Sequence, residues 1–177
     1  MPKKKEFYSN NYEVAFWEAQ TFLIAAEAIS KIAQTTMLNE IRNNQHPEKS
    51  IGLQMAKHVN HSYAVELLLK CTMIIDLGYY RGGHNLFELF YSLKEETQVA
   101  IFERFSQYNI KRRHPVYFGI FEDVDIVMVL REAGEAFVNL RYRFEGKPTP
   151  KYELYDTIEC IEYYIFSVKP ELKKLKH

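Results

Sequence analysis

Five ionisable residues occur within helical patterns that are otherwise apolar, and they are the first candidates for chemistry: Glu66, Lys70, His84, Arg141 and Glu145. Glu66 precedes Lys70 by four residues, which places both on one strip of a helix in the order that favours an ion pair. Arg141 falls on the apolar stripe of a late helix, and Glu145 follows it by four residues. A buried guanidinium has to be paired, because an unpaired one costs several kcal/mol. We therefore expect Glu66 or Glu145 to supply its carboxylate, and Lys70 a balancing positive charge.

This polar set has two interpretations. In the first, part of it faces a cleft between helices or protomers and binds a phosphate or a nucleotide. In the second, it is a structural ion-pair network that fixes how the helices pack. His84 also has two interpretations, because it follows Gly82 and Gly83 at a helix start: it either caps a backbone amide or serves as an acid, a base or a phosphate ligand. Arg81, in the same loop, is a further candidate for ligand binding.

Several motifs that identify common enzymes do not occur in this chain. No Glu has a His three residues later, as a carboxylate-bridged di-metal bundle requires, and neither GxxxxGK[ST] nor GxSxG is present. His58 and His61 lie three residues apart, but no acidic residue stands at the neighbouring turn positions, so we expect a hydrated helix face and not a metal site. We therefore expect neither a metal nor another cofactor.

The composition is that of a globular protein without charge bias. Its 177 residues predict one domain. With 23 basic and 23 acidic side chains, binding to nucleic acid or anionic lipid would need a local patch. Cys71 and Cys160 fall within apolar helical patterns, so we expect buried thiols in a reducing cytosol. Because we find no signal peptide and no run of about 20 apolar residues, we expect a cytoplasmic protein that does not enter a membrane.

The candidate residues depend on the helices that carry them, and the central helix is the stretch Ser62–Leu77. This stretch is apolar on nearly every side, so other helices must surround it, and Gly78 is suited to end it. Apolar residues recur at threes and fours elsewhere, without strand-like alternation. The first two predicted helices run from Asn10 or Asn11 to about Ile41 and from Glu48 or Ser50 to Leu77. The third runs from His84 or Asn85 to Leu93, and the fourth follows the step Lys94–Thr97 and continues through Phe105. The fifth runs from Glu122 to Phe144, and the sixth from Tyr152 to about Val168.

We therefore predict an all-α protein, a single-domain antiparallel bundle of about six helices over residues 1–177, with 1–9 and 170–177 as frayed tails. The least regular segment, 109–119, contains the basic run Lys111–Pro115. That run is either a solvated loop or a contact for phosphate or for a protein partner.

Three segments of the chain resemble the HEPN superfamily of small all-α domains. Tyr63–Lys70 (YAVELLLK) resembles the family's helix with a glutamate and a lysine four apart, and Gly83–Leu89 (GHNLFEL) resembles its next helix start. Phe137–Glu145 (FVNLRYRFE) is similar to the RY-x-x-E-type ending of a late helix in some HEPN-like bacterial proteins. The resemblance spans roughly residues 12 to 168 and so covers most of the chain.

The resemblance implies a bundle of four or more helices that often dimerises, in toxin–antitoxin, phage-defence or RNA-processing systems. The active members are metal-independent ribonucleases with an R-x(4–6)-H motif, whose two residues meet across a dimer. This chain departs from that motif, because Arg42 precedes His46 by only four positions and Arg81 precedes His84 by only three. Catalytic roles are therefore not carried over from the family.

The leading hypothesis is a cytosolic HEPN-like homodimer that binds a nucleotide or RNA. Cations would contact phosphate and carboxylates would hold them in place: Lys70, His84, Arg141 and Arg143, with Glu66 and Glu145. If RNA is cut, His84 would serve as general base or acid on the ribose hydroxyl, and Arg141 would stabilise the charge on the phosphate. The alternative is a non-enzymatic dimeric interaction protein, whose aromatic helix faces bury against another subunit and whose polar set is a buried structural network.

Overall fold

The computed structural model describes residues 11–111, 124–141 and 153–176, and for 109–111 and 135–141 it describes the backbone alone. Within these ranges the chain forms six α-helices and a C-terminal 3₁₀ helix, with no strand. The predicted all-α class is therefore confirmed. The elements are α1 (Tyr12–Arg42), α2 (Glu48–Leu77), α3 (Leu86–Phe90), α4 (Glu95–Lys111), α5 (Ile126–Arg141), α6 (Tyr155–Val168) and the 3₁₀ helix (Pro170–Leu175).

Helices α1 and α2 form a long antiparallel hairpin. The helix α1 begins after Asn11, whose side-chain oxygen accepts hydrogen bonds from the first-turn amides. Pro47 precedes α2 and provides no side-chain cap. The carboxylate of Glu40 replaces that cap, since it accepts hydrogen bonds from the backbone N–H groups of Lys49 and Ser50 at 3.0 and 3.3 Å. The hairpin turn is thus held by a side chain from the end of α1.

The second half of α2 is the centre of the protein. Its side chains are buried on nearly every side, as the apolar stretch predicts, and it packs against α1, α3, α5 and α6. Burial of this extent stabilises the fold by about 1.5–3 kcal/mol for each large apolar side chain. Gly78 ends the helix in the left-handed conformation, with φ of 76°, which a residue with a Cβ atom rarely adopts.

Both cysteines lie in this core as thiols and not as a disulfide. Cys71 is on α2 and Cys160 is on α6, and each has no exposed surface. Burial raises the pKa of the Cys71 thiol to about 12, so it remains protonated at neutral pH. Their predicted role as small buried hydrophobes is confirmed.

The C-terminal segment differs from the predicted frayed tail. Residues 170–175 form the 3₁₀ helix, and Leu172 is 1% exposed within the main core. The tail folds because one leucine can be buried against the bundle, which local charge does not reveal. The other predicted tail, 1–9, and most of the basic run at 111–115 lie outside the described residues.

Other boundaries differ by a few residues. The third helix is shorter than predicted, because it begins at Leu86 and ends at Phe90. The fifth begins at Ile126, where Asp125 accepts a hydrogen bond from the N–H of Met128 at 2.7 Å. None of the helices in the described part of the chain has the length and apolar character needed to cross a membrane.

Candidate functional site

The loop after α2 brings His84 back against the helix it has just left. Gly78 ends α2, and Gly83 adopts a φ of 122°, which is open to glycine but strained for other residues. Asn85 then caps α3, since its side-chain oxygen accepts a hydrogen bond from the N–H of Glu88 at 3.1 Å. The proposed capping role of His84 is therefore wrong: Asn85 caps the helix, and the imidazole is directed to α2.

Glu66 is the centre of a three-residue cluster. The Nζ atom of Lys70 lies 2.6 Å from Oε1 of Glu66, so the ion pair predicted from their spacing is present. The Nδ1 atom of His84 lies 3.0 and 3.1 Å from the two oxygens of the same carboxylate. The side chains of Glu66 and Lys70 are 10% and 14% exposed, whereas that of His84 is 81% exposed. A buried carboxylate thus holds an exposed imidazole.

This contact determines which nitrogen of His84 is available. An ionised carboxylate only accepts hydrogen bonds, so Nδ1 must carry the proton that it donates to Glu66. In the neutral ring, Nε2 is then the unprotonated nitrogen. With most of the ring exposed, Nε2 can take up a proton from a ligand or donate one to it. The same arrangement of carboxylate and histidine orients the base in many hydrolytic sites.

Cations and aromatic rings also occur in the loop after α2 and on α3 and α5. Arg81 reaches along α3, with one guanidinium nitrogen 3.4 Å from Oε2 of Glu88 and another 3.4 Å from Oγ of Ser92. On the next face of α3, the guanidinium of Arg131 lies 4.9 Å from the ring centre of Phe87. That ring is 4.7 Å from the ring of Tyr91, which is exposed. An exposed ring such as that of Tyr91 is suited to stack on a planar ligand.

The structure brings together some of the predicted site residues, whereas the side chains of others lie outside the described part of the chain. Lys70, Glu66 and His84 meet, and Arg81 lies in the same loop but pairs with Glu88. The backbone of Arg141 is the last residue of α5, and its side chain lies outside the described part. Arg143 and Glu145 also lie outside the described residues. The predicted pairing of Arg141 therefore stays a prediction.

The pair of histidines on α2 differs from the expected hydrated face. Nε2 of His58 lies 3.6 Å from Oε1 of Glu153, which also binds Nζ of Lys57 at 2.9 Å. The Nδ1 atom of His61 is buried and has no hydrogen-bond partner within the described ranges. Burial lowers the pKa of His61 to about 4. Glu153, which contacts Lys57 and His58 on this face, lies just before α6. It is far from both histidines in sequence, so the spacing of the histidines could not predict the contact.

Sequence reasoning also missed a buried carboxylate on α6. Glu162 accepts hydrogen bonds from Nε2 of Gln20 at 2.6 Å and from Nζ of Lys176 at 2.7 Å. Its position on an apolar helix face was the available signal. In the described part of the chain, no group of three or more His, Cys, Asp or Glu side chains could hold a metal ion.

No family model, no curated protein and no solved structure matches this chain. The HEPN resemblance therefore remains a prediction that rests on the three segments named above.

Proposed function

We propose that this chain is a HEPN-like domain that binds a nucleotide or RNA through phosphate, at the cluster of Glu66, Lys70 and His84. The observation that carries the proposal is the exposed imidazole of His84, held through Nδ1 by the buried carboxylate of Glu66. A structural histidine gains nothing from such exposure, whereas a ligand-binding one needs it. Arg81, half-exposed in the same loop, adds a positive charge that a phosphate can reach.

The aromatic rings support a nucleic-acid ligand over inorganic phosphate. Phe87 lies on the same short helix as Glu88, which pairs with Arg81, and Tyr91 follows that helix as its C-cap residue. A base stacked on Tyr91 would place its phosphate toward the cationic loop. Because the chain has no net charge, this local patch would have to supply the attraction for RNA.

If the domain cuts RNA, the reaction would be metal-independent. Nε2 of His84 would take the proton of the ribose 2′-hydroxyl, and the 2′-oxygen would attack the phosphorus while the P–O5′ bond breaks. The 5′-oxygen would take up a proton from water, which leaves a 2′,3′-cyclic phosphate and a 5′-hydroxyl end. Arg141 would stabilise the charge on the phosphate, Arg143 would contribute a further phosphate contact, and Glu145 would hold the cations in place. In this proposal the protein is a cytoplasmic homodimer, with a cognate protein partner, in a bacterial toxin–antitoxin or phage-defence system.

The test measures binding and cleavage of a labelled single-stranded RNA by the purified chain. His84→Ala, Glu66→Gln and Arg141→Ala should each weaken binding by about tenfold, as the loss of a charge-assisted contact implies. His46→Ala is the matched control, since His46 is exposed at the hairpin turn. Binding should also weaken steeply with salt. Equal binding and cleavage by all four variants and the parent chain would end the proposal.

A second function is favoured by a different observation, the apolar surface of α1. Seven of its large apolar side chains are exposed: Val14, Trp17, Ile24, Ile32, Met37, Leu38 and Ile41. Where exposed apolar side chains adjoin one another, they mark an interaction surface. In this alternative, the chain is a non-enzymatic dimeric interaction protein and the Glu66 cluster is a structural ion-pair network. Sedimentation then shows a dimer that Trp17→Lys dissociates, and His84→Ala leaves every binding property unchanged.

A further inference from the structure

The outer face of α1, opposite α2, carries a continuous row of exposed side chains. The inner face is marked by Ala19, Ala26 and Ala33, which recur every seven residues and have no exposed surface. The outer row advances by alternating steps of three and four residues, which is the spacing of the heptad seam along which one helix packs on another. We call this row the outer seam. Its members are all exposed: Val14, Trp17, Thr21, Ile24, Ala28, Lys31, Thr35, Leu38 and Arg42.

The exposed apolar side chains of α1 follow this seam and are not scattered over the helix. Ile32 and Ile41 lie directly beside it, at the positions that flank a heptad seam, and Met37 alone among the large apolar side chains exposed on α1 lies away from it. Single apolar residues on a surface need no explanation, whereas a row of them indicates an interaction surface. The helix that carries the row has 31 residues, so it is about 46 Å long. The seam members among the large apolar residues are Val14, Trp17, Ile24 and Leu38.

The exposed charges of α1 differ between its two halves. The acids come first, at Glu13, Glu18 and Glu27, and the bases follow, at Lys31 and Arg42. A second copy of α1 that ran antiparallel would bring the acidic half of each helix against the basic half of the other. A parallel copy would bring like charges together, which costs binding free energy. The charge pattern therefore favours an antiparallel copy of the same helix as the partner.

The sizes of the side chains in the seam are also matched between antiparallel copies. With a two-fold axis at the level of residues 29 and 30, large side chains face small ones, and small residues let two helix axes approach closely. The guanidinium of Arg42 would face the indole of Trp17, the ring that attracts cations most strongly. The stem of Lys31 would cover Ala28 of the second copy, while its ammonium stays in water with Glu27, 2.8 Å away. The facing residues are Trp17 and Arg42, Thr21 and Leu38, Ile24 and Thr35, and Ala28 and Lys31.

We propose that α1 binds α1 of a second copy of this chain as an antiparallel pair along the outer seam. Each α1 would then lie between α2 of its own chain and α1 of the other copy, so that four helices form the centre of the dimer. Both candidate functions include a dimer, and this inference rests on that dimer and assigns the surface that forms it. It does not depend on RNA binding at His84.

A double variant, Thr21→Cys with Leu38→Cys, tests the direction and the register of the pair in the full chain. The two positions face each other across the copies, so oxidation by dissolved oxygen should link the chains through disulfides. Within one chain they are about 25 Å apart, which is too far for a disulfide. Cys71 and Cys160 are buried and should not react. The matched control is Thr21→Cys with Met37→Cys, which should not link the chains, because Met37 is similarly exposed but lies off the seam.

Sedimentation measures the strength of the same contact. The parent chain should be a dimer at about 0.1 mM. Ala28→Lys sets a charge opposite Lys31 of the second copy and should raise the dimer dissociation constant at least about tenfold, whereas Met37→Lys adds the same charge off the seam and should not. A monomeric parent chain would overturn the dimer itself. A dimer in which the single variant Thr21→Cys links to itself is parallel, and one that Ala28→Lys leaves intact uses another surface; either result would overturn the assigned seam but not the dimer. His84→Ala should change none of these results.

Discussion

Two histidines of this chain stand in opposite surroundings. His84 is exposed and donates through Nδ1 to Glu66, so its ring is oriented by a charge. His61 is largely covered, and its Nδ1 atom has no hydrogen-bond partner among the described residues. Burial, with a smaller contribution from the charge of Lys57, lowers the pKa of His61 to about 4, while Glu153 opposes the shift. The first ring is exposed and held by a carboxylate, whereas burial keeps the second ring neutral at pH 7.

The low pKa of His61 predicts how stability depends on pH. Above pH 6.5 the ring is neutral in the folded and the unfolded chain, and it contributes nothing to the difference between them. Between pH 6.5 and about 4 only the unfolded chain takes up the proton. Stability should therefore fall as the pH falls through this window, by about 2–3 kcal/mol in total from this residue. Urea denaturation at pH 7, 6, 5 and 4 measures it.

The matched comparison is His61→Phe against His46→Phe. The first should flatten the pH dependence in this window, and the second should not, because His46 is exposed at the hairpin turn. His58, Lys57 and Glu153 titrate or carry charge on the same face, but they are present in both variants and cancel. Parallel pH profiles for the two variants would show that His61 is not the group responsible.

How much of this site the sequence predicts depends on how far apart its residues are. The pair of Glu66 and Lys70 is readable, because both lie on one helix four residues apart. The contact of His84 with Glu66 spans 18 positions, and that of Gln20 with Glu162 spans 142. Such contacts depend on how helices pack against one another, and helical periodicity does not predict that packing. The sequence therefore predicts the ionic members of the site but not which of them touch.

At the scale of elements, α1 and α2 carry the same ion pair in different surroundings. Glu27 and Lys31 on α1, like Glu66 and Lys70 on α2, are four residues apart with the acid first. The side chains of the first pair are 67% and 74% exposed, against 10% and 14% for the second. Water screens the first pair, whereas the second lies where the effective dielectric is lower. Spacing alone does not distinguish them, but burial does.

Double-mutant cycles should therefore separate the two pairs. The cycle of Glu66→Gln with Lys70→Met is expected to give a coupling free energy of about 1–2 kcal/mol in unfolding. The same substitutions at Glu27 and Lys31 should give no measurable coupling, and they serve as the control. Adding salt should leave the coupling on α2 nearly unchanged. Equal coupling in the two helices would mean that the cluster on α2 is as solvated as a surface pair.

The ends of the two long helices, α1 and α2, are the part of the fold that the sequence predicts well. Asn11 and Gly78 act where their conformational preferences predict, as an N-cap and as a left-handed helix end. The prediction of a frayed tail is wrong over 170–175, because the burial of Leu172 against the bundle outweighs a tail rich in lysine. Local pattern therefore predicts where helices begin and end, and tertiary burial determines whether a short segment beyond them folds.

At the scale of the whole molecule, one hydrogen-bonded node joins three helices around Asp76. This carboxylate lies at the C-terminal end of α2, where the helix dipole is negative and the last turn holds no basic residue. Thr97, in the first turn of α4, donates to Oδ2 at 2.7 Å, and Tyr164 on α6 donates to Oδ1 at 2.8 Å. The positive end of α4 thus faces the negative end of α2. The two hydrogen bonds stabilise the negative charge of Asp76, which the dipole of α2 alone would destabilise.

Removing one hydroxyl from this node should loosen the junction of α2, α4 and α6. Tyr164→Phe keeps the ring but deletes its hydrogen bond to the carboxylate of Asp76, which should cost about 1.5 kcal/mol of unfolding free energy. Hydrogen exchange should then speed up in the first turn of α4, because Thr97 alone still holds it to Asp76.

Tyr163→Phe is the matched control: Tyr163 is exposed on the same helix, and phenylalanine keeps the ring on which Arg104 stacks at 4.1 Å. Its unfolding free energy should change by less than about 0.5 kcal/mol. If both variants lose the same stability, with exchange unchanged in α4, the node does not join the three helices, and their packing rests on the apolar core alone.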